Sequence, residues 1–309
     1  MDEWGNEVKT ILNQKDGASW TAVHGDCVLG ISDLPNESVG FSVYSPPFSD
    51  LFVYSDSAAD MGNNTSDSAF FEQYGHVIAQ KMRVLKPGRL TAVHCTDLPA
   101  RKGKDGYIGL KGFSDDIVRA HQDAGFIYHS RITIWKDPVV EMQRTKAIGL
   151  LYKQLKKDSA MSRAGMADYL LVFRKPGDNP EPIEHSTQDV PVNLWQQWAS
   201  PVWMNINQTD VLNGRQARCD EDERHICPLQ LPLIERAIRL WSNPGDVVDV
   251  VLSPFMGIGS EGVVSMRTGR KFIGFELKES YWRQACKFIS EAEDKSSGGS
   301  LFDARVAVG

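Results

Sequence analysis

A glycine-rich turn late in the chain constrains the fold most strongly. Residues 247–252 form an apolar run typical of a buried strand, and residues 253–262 then read Ser-Pro-Phe-Met-Gly-Ile-Gly-Ser-Glu-Gly. Glycines at a strand-to-helix turn let the backbone approach a ligand, and the N-terminus of the following helix offers free N–H groups. Glu276 ends the next predicted strand, where a carboxylate can accept hydrogen bonds from ribose hydroxyls. These features indicate a site for an adenosine-containing ligand.

The same turn also matches the dinucleotide fingerprint, because Gly257, Gly259 and Gly262 have the spacing G-x-G-x-x-G. Two observations argue against a dinucleotide. Pro254 and Phe255 separate the strand from the glycines, and only about 45 residues follow the last glycine, too few for both halves of a doubly wound sheet. Strands from earlier in the chain must therefore complete the sheet. A tight turn that binds no ligand is the other interpretation.

Strand-like and helix-like segments alternate through most of the chain, which predicts a parallel sheet with helices on its faces. The predicted strands are residues 39–44, 89–94, 126–135, 169–173, 246–252 and 271–276. The predicted helices are residues 69–85, 113–124, 232–241 and 281–293. Residues 86–88, Lys-Pro-Gly, are predicted to break the chain between a helix and a strand.

A second turn, Ser45-Pro46-Pro47-Phe48, follows the predicted strand 39–44. Consecutive prolines fix the backbone and donate no hydrogen bonds, so their carbonyl groups are presented rigidly. The Ser45 hydroxyl and the Pro46 carbonyl could accept the two hydrogens of an amino group on a base, and Phe48 could stack on that base. Direct displacement at such a nitrogen needs positioning and electrostatics rather than a covalent nucleophile. A proline-rich strand terminator is the alternative interpretation.

Together, the two turns resemble those of the DNA amino-methyltransferase family, and the target-base turn precedes the cofactor turn as in the family's β group of phage-like or stand-alone enzymes. The resemblance implies a Rossmann-like α/β fold with permuted motif order and S-adenosylmethionine as cofactor. It also implies site-specific methyl transfer to the exocyclic amino group of a flipped base in duplex DNA. Adenine N6 and cytosine N4 both stay open as targets. An RNA or protein amide methyltransferase and a non-catalytic nucleic-acid-binding module are the rival functions.

The resemblance also assigns roles to individual residues. Asp26 matches a family residue that binds the adenine amino group of the cofactor, and residues 224–228 match a segment that closes over its methionine part. Ser253 departs from the aspartate that is usual in the family, and residues 258–261 replace a small, threonine-rich run. The implied catalytic residues are Ser45, Pro46, Pro47 and Phe48. The implied cofactor-binding residues are Asp26, His225, Pro228, Ser253, Pro254, Phe255, Gly257, Gly259, Ser260 and Glu276.

A local basic face has to carry any DNA contacts, because the whole chain has a formal net charge of −6. One basic stretch lies between the strands that end at residue 135 and begin at residue 169, and a solvated helix face is its alternative interpretation. The expected DNA-binding residues are Lys136, Arg144, Lys146, Lys153, Lys156, Arg163, Arg215 and Arg218.

The predicted organisation has four parts. Residues 1–177 form the target-base half of the catalytic domain, and residues 178–221 form an inserted region where the family places target recognition. Residues 222–295 form the cofactor half, and residues 296–309, which contain Ser-Ser-Gly-Gly-Ser, form a flexible tail. Members of this group often pair, which suggests a homodimer.

The cysteines exclude one related chemistry. A C5-cytosine enzyme needs a Pro-Cys nucleophile, and none of the five cysteines follows a proline. Their scatter and odd number indicate reduced thiols in a cytoplasm, and neither a signal peptide nor a membrane span is expected. Cys219, His225 and Cys227 suggest a zinc site, but their spacing is irregular and a fourth ligand is missing, so no metal is expected.

Overall fold

The computed structural model describes residues 11–48, 61, 66–100, 102–145, 147–213, 228–244 and 249–302. The strands are β1 (Ile11–Asp16), β2 (Trp20–Gly25), β3 (Val39–Tyr44), β4 (Leu85–Thr96), β5 (Leu98–Ala100), β6 (Gly109–Lys111), β7 (Ile127–Ile134), β8 (Asp168–Arg174), β9 (Val202–Trp203), β10 (Val250–Ser253) and β11 (Lys271–Glu276). The helices are α1 (Cys27–Ser32), α2 (Asp67–Val84), α3 (Lys102–Asp105), α4 (Phe113–Asp123), α5 (Pro138–Thr145), α6 (Tyr152–Lys157), α7 (Val192–Trp198), α8 (Leu231–Trp241), α9 (Ser260–Arg267) and α10 (Glu279–Phe302).

Among the described residues, nine strands form one sheet in the order β1-β2-β11-β10-β3-β4-β8-β7-β9. The five strands from β2 to β4 in that order are parallel. Strand β8 runs antiparallel to both β4 and β7, and β1 runs antiparallel to β2. The carboxyl ends of the parallel strands and of β7 therefore share one edge with the amino end of β8. The prediction that earlier strands complete the sheet is confirmed, because β10 lies between β11 and β3.

Helices cover both faces of the sheet, as the alternation along the chain predicts. Strand β8 shows the resulting pattern, because Leu170 and Val172 pack with α8 and α10 on one face, while Leu171 and Phe173 pack with α2 and α4 on the other. A strand buried on both faces is a continuous apolar run rather than an alternating one. This pattern explains why the central strands were recognisable in the sequence.

The predicted break at residues 86–88 is wrong in one respect. These residues belong to β4, which begins at Leu85 rather than at Arg89. The pairing of β3 with β4 shifts register after Val39, and Gly88 has φ +69°, so the breaker residues form an irregularity inside the strand. Helix α2 does end just before these residues, at Val84, as predicted, but they form a bulge inside β4 rather than a loop in front of it.

Part of the region 178–221 lies on the main sheet. Strand β9 pairs with β7, and the Trp203 ring is buried in the core with the Arg236 guanidinium 4.5 Å from its centroid. The run at residues 296–300, predicted to be flexible, instead continues helix α10 as far as Phe302. None of the helices in the described ranges is long and apolar enough to cross a membrane.

A buried ion pair joins two strands on either side of β3. Arg89 of β4 donates from Nη2 to both carboxylate oxygens of Asp249, at 2.8 and 2.9 Å, and both side chains are fully buried. Asp249 also accepts a 2.6 Å hydrogen bond from the backbone N–H of Asn243. Gly40 of β3 makes room for the pair, because a Cβ atom there would lie 2.1 Å from Oδ1 of Asp249.

We predict that Gly40→Ala lowers the free energy of unfolding by about 3 kcal/mol or more, because the methyl group must displace a buried, paired carboxylate. Gly75→Ala on α2 is the matched control, since a Cβ atom there meets nothing within 4 Å. It should raise stability by roughly 0.5–1 kcal/mol, as glycine-to-alanine changes in helix interiors do. Urea unfolding followed by circular dichroism measures both changes, and equal effects would contradict this account of Gly40.

Candidate active site

Both predicted turns lie at the same edge of the sheet. Residues 45–48 follow β3 and residues 254–259 follow β10, and these two strands are neighbours. The rings of Tyr44 and Phe255 lie 5.8 Å apart, which links the two turns directly. Glu276 ends β11, and Asp26 follows β2, both at this edge. The fold thus brings the predicted catalytic turn and most of the predicted cofactor residues together.

The glycine-rich turn has the left-handed backbone that its sequence suggests. Gly257 has φ +52° and Gly259 has φ +92°. A Cβ atom at Gly259 would lie 3.0 Å from the Ala285 side chain, whereas at Gly257 it would meet nothing within 4 Å. Gly259 caps the N-terminus of α9 without a side-chain hydrogen bond, and Ser260 begins the helix. Gly257 therefore faces open space beside a helix N-terminus, which suits a ligand.

Glu276 holds this turn in place. Its Oε2 accepts a 3.0 Å hydrogen bond from the Gly257 N–H, and its Oε1 accepts one of 2.8 Å from the Lys278 N–H. The Ser253 hydroxyl at the end of β10 is buried and has no hydrogen-bond partner among the described residues. The Glu276 carboxylate and the Ser253 hydroxyl offer acceptors, and the N-terminus of α9 offers N–H donors that no side chain caps. This set fits an adenosine-containing ligand.

Asp26 has a structural role at the start of helix α1. Its Oδ1 accepts hydrogen bonds from the N–H groups of Val28, at 2.7 Å, and Leu29, at 3.1 Å, and so caps α1. Both of these bonds use the same oxygen. The predicted contact of Asp26 with the cofactor would therefore use Oδ2 and stays a prediction.

Glu261, in the first turn of α9, is buried close to this turn. Burial, with a smaller contribution from the charge of Glu276, raises the pKa of Glu261 to about 8. Its carboxyl group is consequently protonated at neutral pH. Nothing in the sequence pattern indicates this, because a glutamate in the first turn of a helix is usually an exposed anion.

In the predicted catalytic turn, Ser45 is bound to the neighbouring strand β4. Its hydroxyl donates to the His94 carbonyl oxygen at 3.2 Å, and its Oγ lies 3.4 Å from Nδ1 of His94. Pro46 is buried and Pro47 is partly exposed. The Phe48 ring is half-buried and lies 6.1 Å from the Phe113 ring, so it packs on α4 on one side. Its stacking on a base stays a prediction.

Beneath this turn lies a buried polar cluster that the sequence analysis missed. The Tyr44 hydroxyl is 2.6 Å from that of Tyr74 and also contacts the Lys81 ammonium nitrogen, which is 3.1 Å from Nε2 of His121. Burial lowers the pKa of Lys81 well below its usual range. Helical spacing could have revealed the burial of Lys81, because Lys81 follows Val77 by one turn on the buried face of α2.

Lys136, predicted to bind DNA, is buried in an ion pair instead. Its Nζ lies 2.5 Å from Oδ1 of Asp168, and its side chain is only 10% exposed. Oδ2 of Asp168 lies 3.4 Å from Nε2 of His94. Burial would raise the pKa of Asp168, but His94 and Lys136 hold it down to about 2. The correction follows from the pairing of β7 with β8, which places Lys136 beside Asp168.

The other predicted DNA contacts divide into three groups: exposed, partly engaged, and outside the described residues. Lys153 and Lys156 are exposed on α6, where the Lys156 nitrogen lies 5.0 Å from the ring centroid of the 70% exposed Tyr152. Arg163 is partly engaged, because its guanidinium approaches Glu141 at 3.3 Å and donates to the Ala164 carbonyl. Outside the described residues lie the side chain of Arg144 and all of Lys146, Arg215 and Arg218. The same holds for the cofactor candidate His225 and for Cys219 and Cys227 of the considered zinc site.

Pro228 is partly exposed and lies three residues before α8. Helix α8 leads into β10 and packs on β3, so its N-terminal end lies at the site edge of the sheet. This placement agrees with the predicted role of residues 224–228 next to a ligand, although most of that segment lies outside the described residues.

Comparisons with known proteins indicate a family of DNA methyltransferases. A family model described as DNA methylase, for N6 and N4 enzymes, matches residues 39–287. The DNA adenine methyltransferase YhdJ of Escherichia coli (strain K12) is 28% identical over 312 aligned residues, which cover 95% of this chain and 87% of YhdJ.

Two solved structures share the fold. The cytosine-N4-specific PvuII DNA methyltransferase superimposes with a TM-score of 0.64 at 17% identity, over 94% of this chain and 97% of that one. TTHA0409 of Thermus thermophilus, complexed with S-adenosyl-L-methionine, superimposes with a TM-score of 0.63 at 22% identity, over 87% of this chain and 92% of that one.

We predict that Glu261→Gln stabilises the protein increasingly as the pH rises. The unfolded glutamate loses its proton near pH 4.5, whereas the folded one keeps it to about pH 8, so wild-type stability falls between these values by about 1.4 kcal/mol for each pH unit. Glutamine does not ionise, so the variant lacks this loss. Thermal unfolding at pH 5 and pH 8.5 measures the effect, with Glu235→Gln as an exposed control. A gain that does not grow with pH would contradict the assignment.

Proposed function

The chain belongs to the family of N6 and N4 DNA methylases, and we propose on that premise that residues 45–48 and 253–276 form its catalytic centre. It is an S-adenosylmethionine-dependent enzyme that methylates DNA at the exocyclic amino group of adenine or cytosine. The observation that carries this proposal is the placement of the Ser-Pro-Pro-Phe turn beside the glycine-rich turn, at the carboxyl ends of adjacent parallel strands.

The residues after β10 and β11 would hold the cofactor. When bound, S-adenosylmethionine supplies an electrophilic methyl group on a sulfonium centre. Glu276 accepts hydrogen bonds from the ribose, and Gly257 and Gly259 let the backbone approach the ligand at the N-terminus of α9. Asp26 and Pro228, with His225 outside the described residues, complete the proposed site. Ser253, Pro254, Phe255 and Ser260 line the turn itself.

Ser45 and Pro46 would orient the amino group of the base. The Ser45 oxygen and the Pro46 carbonyl accept its two hydrogens, which directs the nitrogen lone pair toward the methyl carbon. Pro47 fixes the carbonyl in place, and Phe48 lies against the base. Rigid acceptors that need no rearrangement lower the barrier of such a displacement. An amino group can reach this edge only after its base leaves the stack, so the enzyme flips the base.

Duplex DNA would contact the segment between β7 and β8, which holds the exposed lysines of α6. Residues 178–221, which contribute the edge strand β9, are proposed as the target-recognition region between catalytic segments 1–177 and 222–295. A homodimer is also proposed, because members of this group often pair. Support for the lysines comes from their exposure beside exposed Tyr152, because aromatic and cationic side chains together suit nucleic acids.

We predict that Ser45→Ala reduces methyl transfer to DNA by about 100-fold, because it removes one positioned acceptor of the amino group. Its affinity for S-adenosylmethionine should not change. Glu276→Gln should instead act on the cofactor: it should weaken the binding of S-adenosylmethionine by about tenfold, since it removes a charged acceptor. Incorporation of radiolabelled methyl groups into unmethylated DNA, with calorimetry of cofactor binding, separates the two effects. A wild type that labels no DNA would contradict the proposed function.

We also predict that the double substitution Lys153→Ala and Lys156→Ala weakens DNA binding uniformly across sequences. The slope of log affinity against log salt concentration should fall by nearly 2, because each lost phosphate contact removes about 0.9. Lys287→Ala, at an exposed lysine of α10, is the control and should leave the slope unchanged. Fluorescence anisotropy of labelled duplexes at several salt concentrations gives these slopes. An unchanged slope in the double variant would remove α6 from the DNA-binding surface.

A further inference from the structure

Four side chains from four parts of the sheet form a line that leads away from Ser45. Nδ1 of His94 lies 3.4 Å from the Ser45 oxygen, and Nε2 of the same ring lies 3.4 Å from Oδ2 of Asp168. Oδ1 of Asp168 then lies 2.5 Å from the Lys136 ammonium nitrogen. His94 and Asp168 are each less than a tenth exposed. The line therefore runs across the sheet at its site edge, from the predicted reaction centre after β3, past β4 and β8, to the end of β7.

The carboxylate fixes where the hydrogens of this line lie. His94 and Lys136 keep the pKa of the buried Asp168 at about 2, so Asp168 is an anion at neutral pH. Nε2 makes no hydrogen bond of regular geometry among the described residues, but the anion 3.4 Å away favours the tautomer with a hydrogen on that nitrogen. In the neutral imidazole, Nδ1 is consequently an acceptor, and it faces Ser45.

The Ser45 hydroxyl hydrogen is directed inward as a result. It has two acceptors on the same side, the His94 carbonyl at 3.2 Å and Nδ1 of the His94 ring at 3.4 Å. With its hydrogen directed inward, the Ser45 oxygen offers its remaining lone pairs outward. A hydrogen on an amino group is the complement of such an oxygen, which agrees with the proposed role of Ser45.

We propose that His94 is a positioning residue that, through Ser45, takes the proton lost by the amino group of the base during methylation. This inference rests on the proposed function and extends it to the fate of that proton. It also assigns Asp168 and Lys136 to the same reaction, although neither touches the base.

The proton and the electrons balance along this route. The amino nitrogen uses its lone pair to form the bond to the methyl carbon, and the carbon–sulfur bond breaks with its electrons left on sulfur. The nitrogen, now positively charged, loses one proton to the Ser45 oxygen, while the Ser45 hydroxyl proton passes to Nδ1 of His94. Asp168 stabilises the resulting imidazolium, and Lys136 keeps Asp168 ionised. Water removes the proton after the product leaves.

Few other groups near His94 could cause a pH dependence of the reaction rate. Among the described residues, the charged groups beside the ring are Asp168 on β8 and, behind it, Lys136 after β7. Ser45 faces the ring from β3, and burial raises the pKa of the neighbouring thiol of Cys95 well above its usual range. Neither the Asp168 carboxyl nor this thiol changes its charge between pH 5.5 and pH 8.5.

The test substitutes His94 and Asp168 separately in the full chain. An asparagine side chain would keep an oxygen near the position of Nδ1, so His94→Asn preserves an acceptor for the Ser45 hydrogen but takes no proton. Asp168→Asn is a second variant that removes the charge behind the ring. His129→Gln on β7, at an exposed histidine away from the site edge, is the matched control. The measurement is the single-turnover rate of methyl transfer to unmethylated DNA from pH 5.5 to pH 8.5, with cofactor affinity measured in parallel.

The wild type and His129→Gln should slow as the pH falls, because a protonated His94 accepts nothing. His94→Asn should be about 100-fold slower with a rate that no longer depends on pH, while its cofactor affinity stays within about twofold. Asp168→Asn should slow the transfer at every pH, because the imidazolium formed during the transfer loses its counter-ion. If His94→Asn has the wild-type rate or the wild-type pH dependence, this inference is overturned but the proposed function is not. A wild type that methylates no DNA would overturn the proposed function and this inference with it.

Discussion

The ion pair between Arg89 and Asp249 is the interaction on which the arrangement of the site depends. It joins residues 160 positions apart in the chain and fixes β4 and β10 on either side of β3. A buried charge without its partner costs several kcal/mol, so alternative pairings of these strands that separate the two side chains are strongly disfavoured. Because β3 ends in the Ser-Pro-Pro-Phe turn and β10 in the glycine-rich turn, this one pair brings both turns to adjacent positions. Gly40 makes the pair possible.

Two polar systems support the catalytic turn, and they differ in charge. The cluster of Lys81 with Tyr44, Tyr74 and His121 contains no carboxylate, so burial favours its neutral form and it acts as a hydrogen-bonded support beneath Ser45. The line through His94 and Asp168 contains an anion paired with a lysine, so it can stabilise a positive charge. In the proposed mechanism, the first system positions the turn, and the second gives it a route for a proton.

Much of the fold could be predicted from the sequence, because the decisive signals are local. Strands β3 and β11 have the predicted bounds, since each is an apolar run that ends at a turn. The partners of single side chains could not be predicted, because they depend on strands far apart in the chain. Lys136 looked like a phosphate ligand until the pairing of β7 with β8 placed it against Asp168. His94 ended a predicted strand without any pattern to mark its role, and residues 296–302 are helical despite a composition typical of linkers.

The central claim is that this edge of the sheet methylates an exocyclic amino group of a base in DNA. Nucleoside mass spectrometry of unmethylated DNA, incubated with the purified chain and S-adenosylmethionine, tests it most directly. The account predicts N6-methyladenine or N4-methylcytosine. The mass of the modified nucleoside identifies the base, and its chromatographic retention separates N4-methylcytosine from the isomeric C5-methylcytosine. Methylation at C5 of cytosine, or no methylated nucleoside from DNA of varied sequence, would contradict the account.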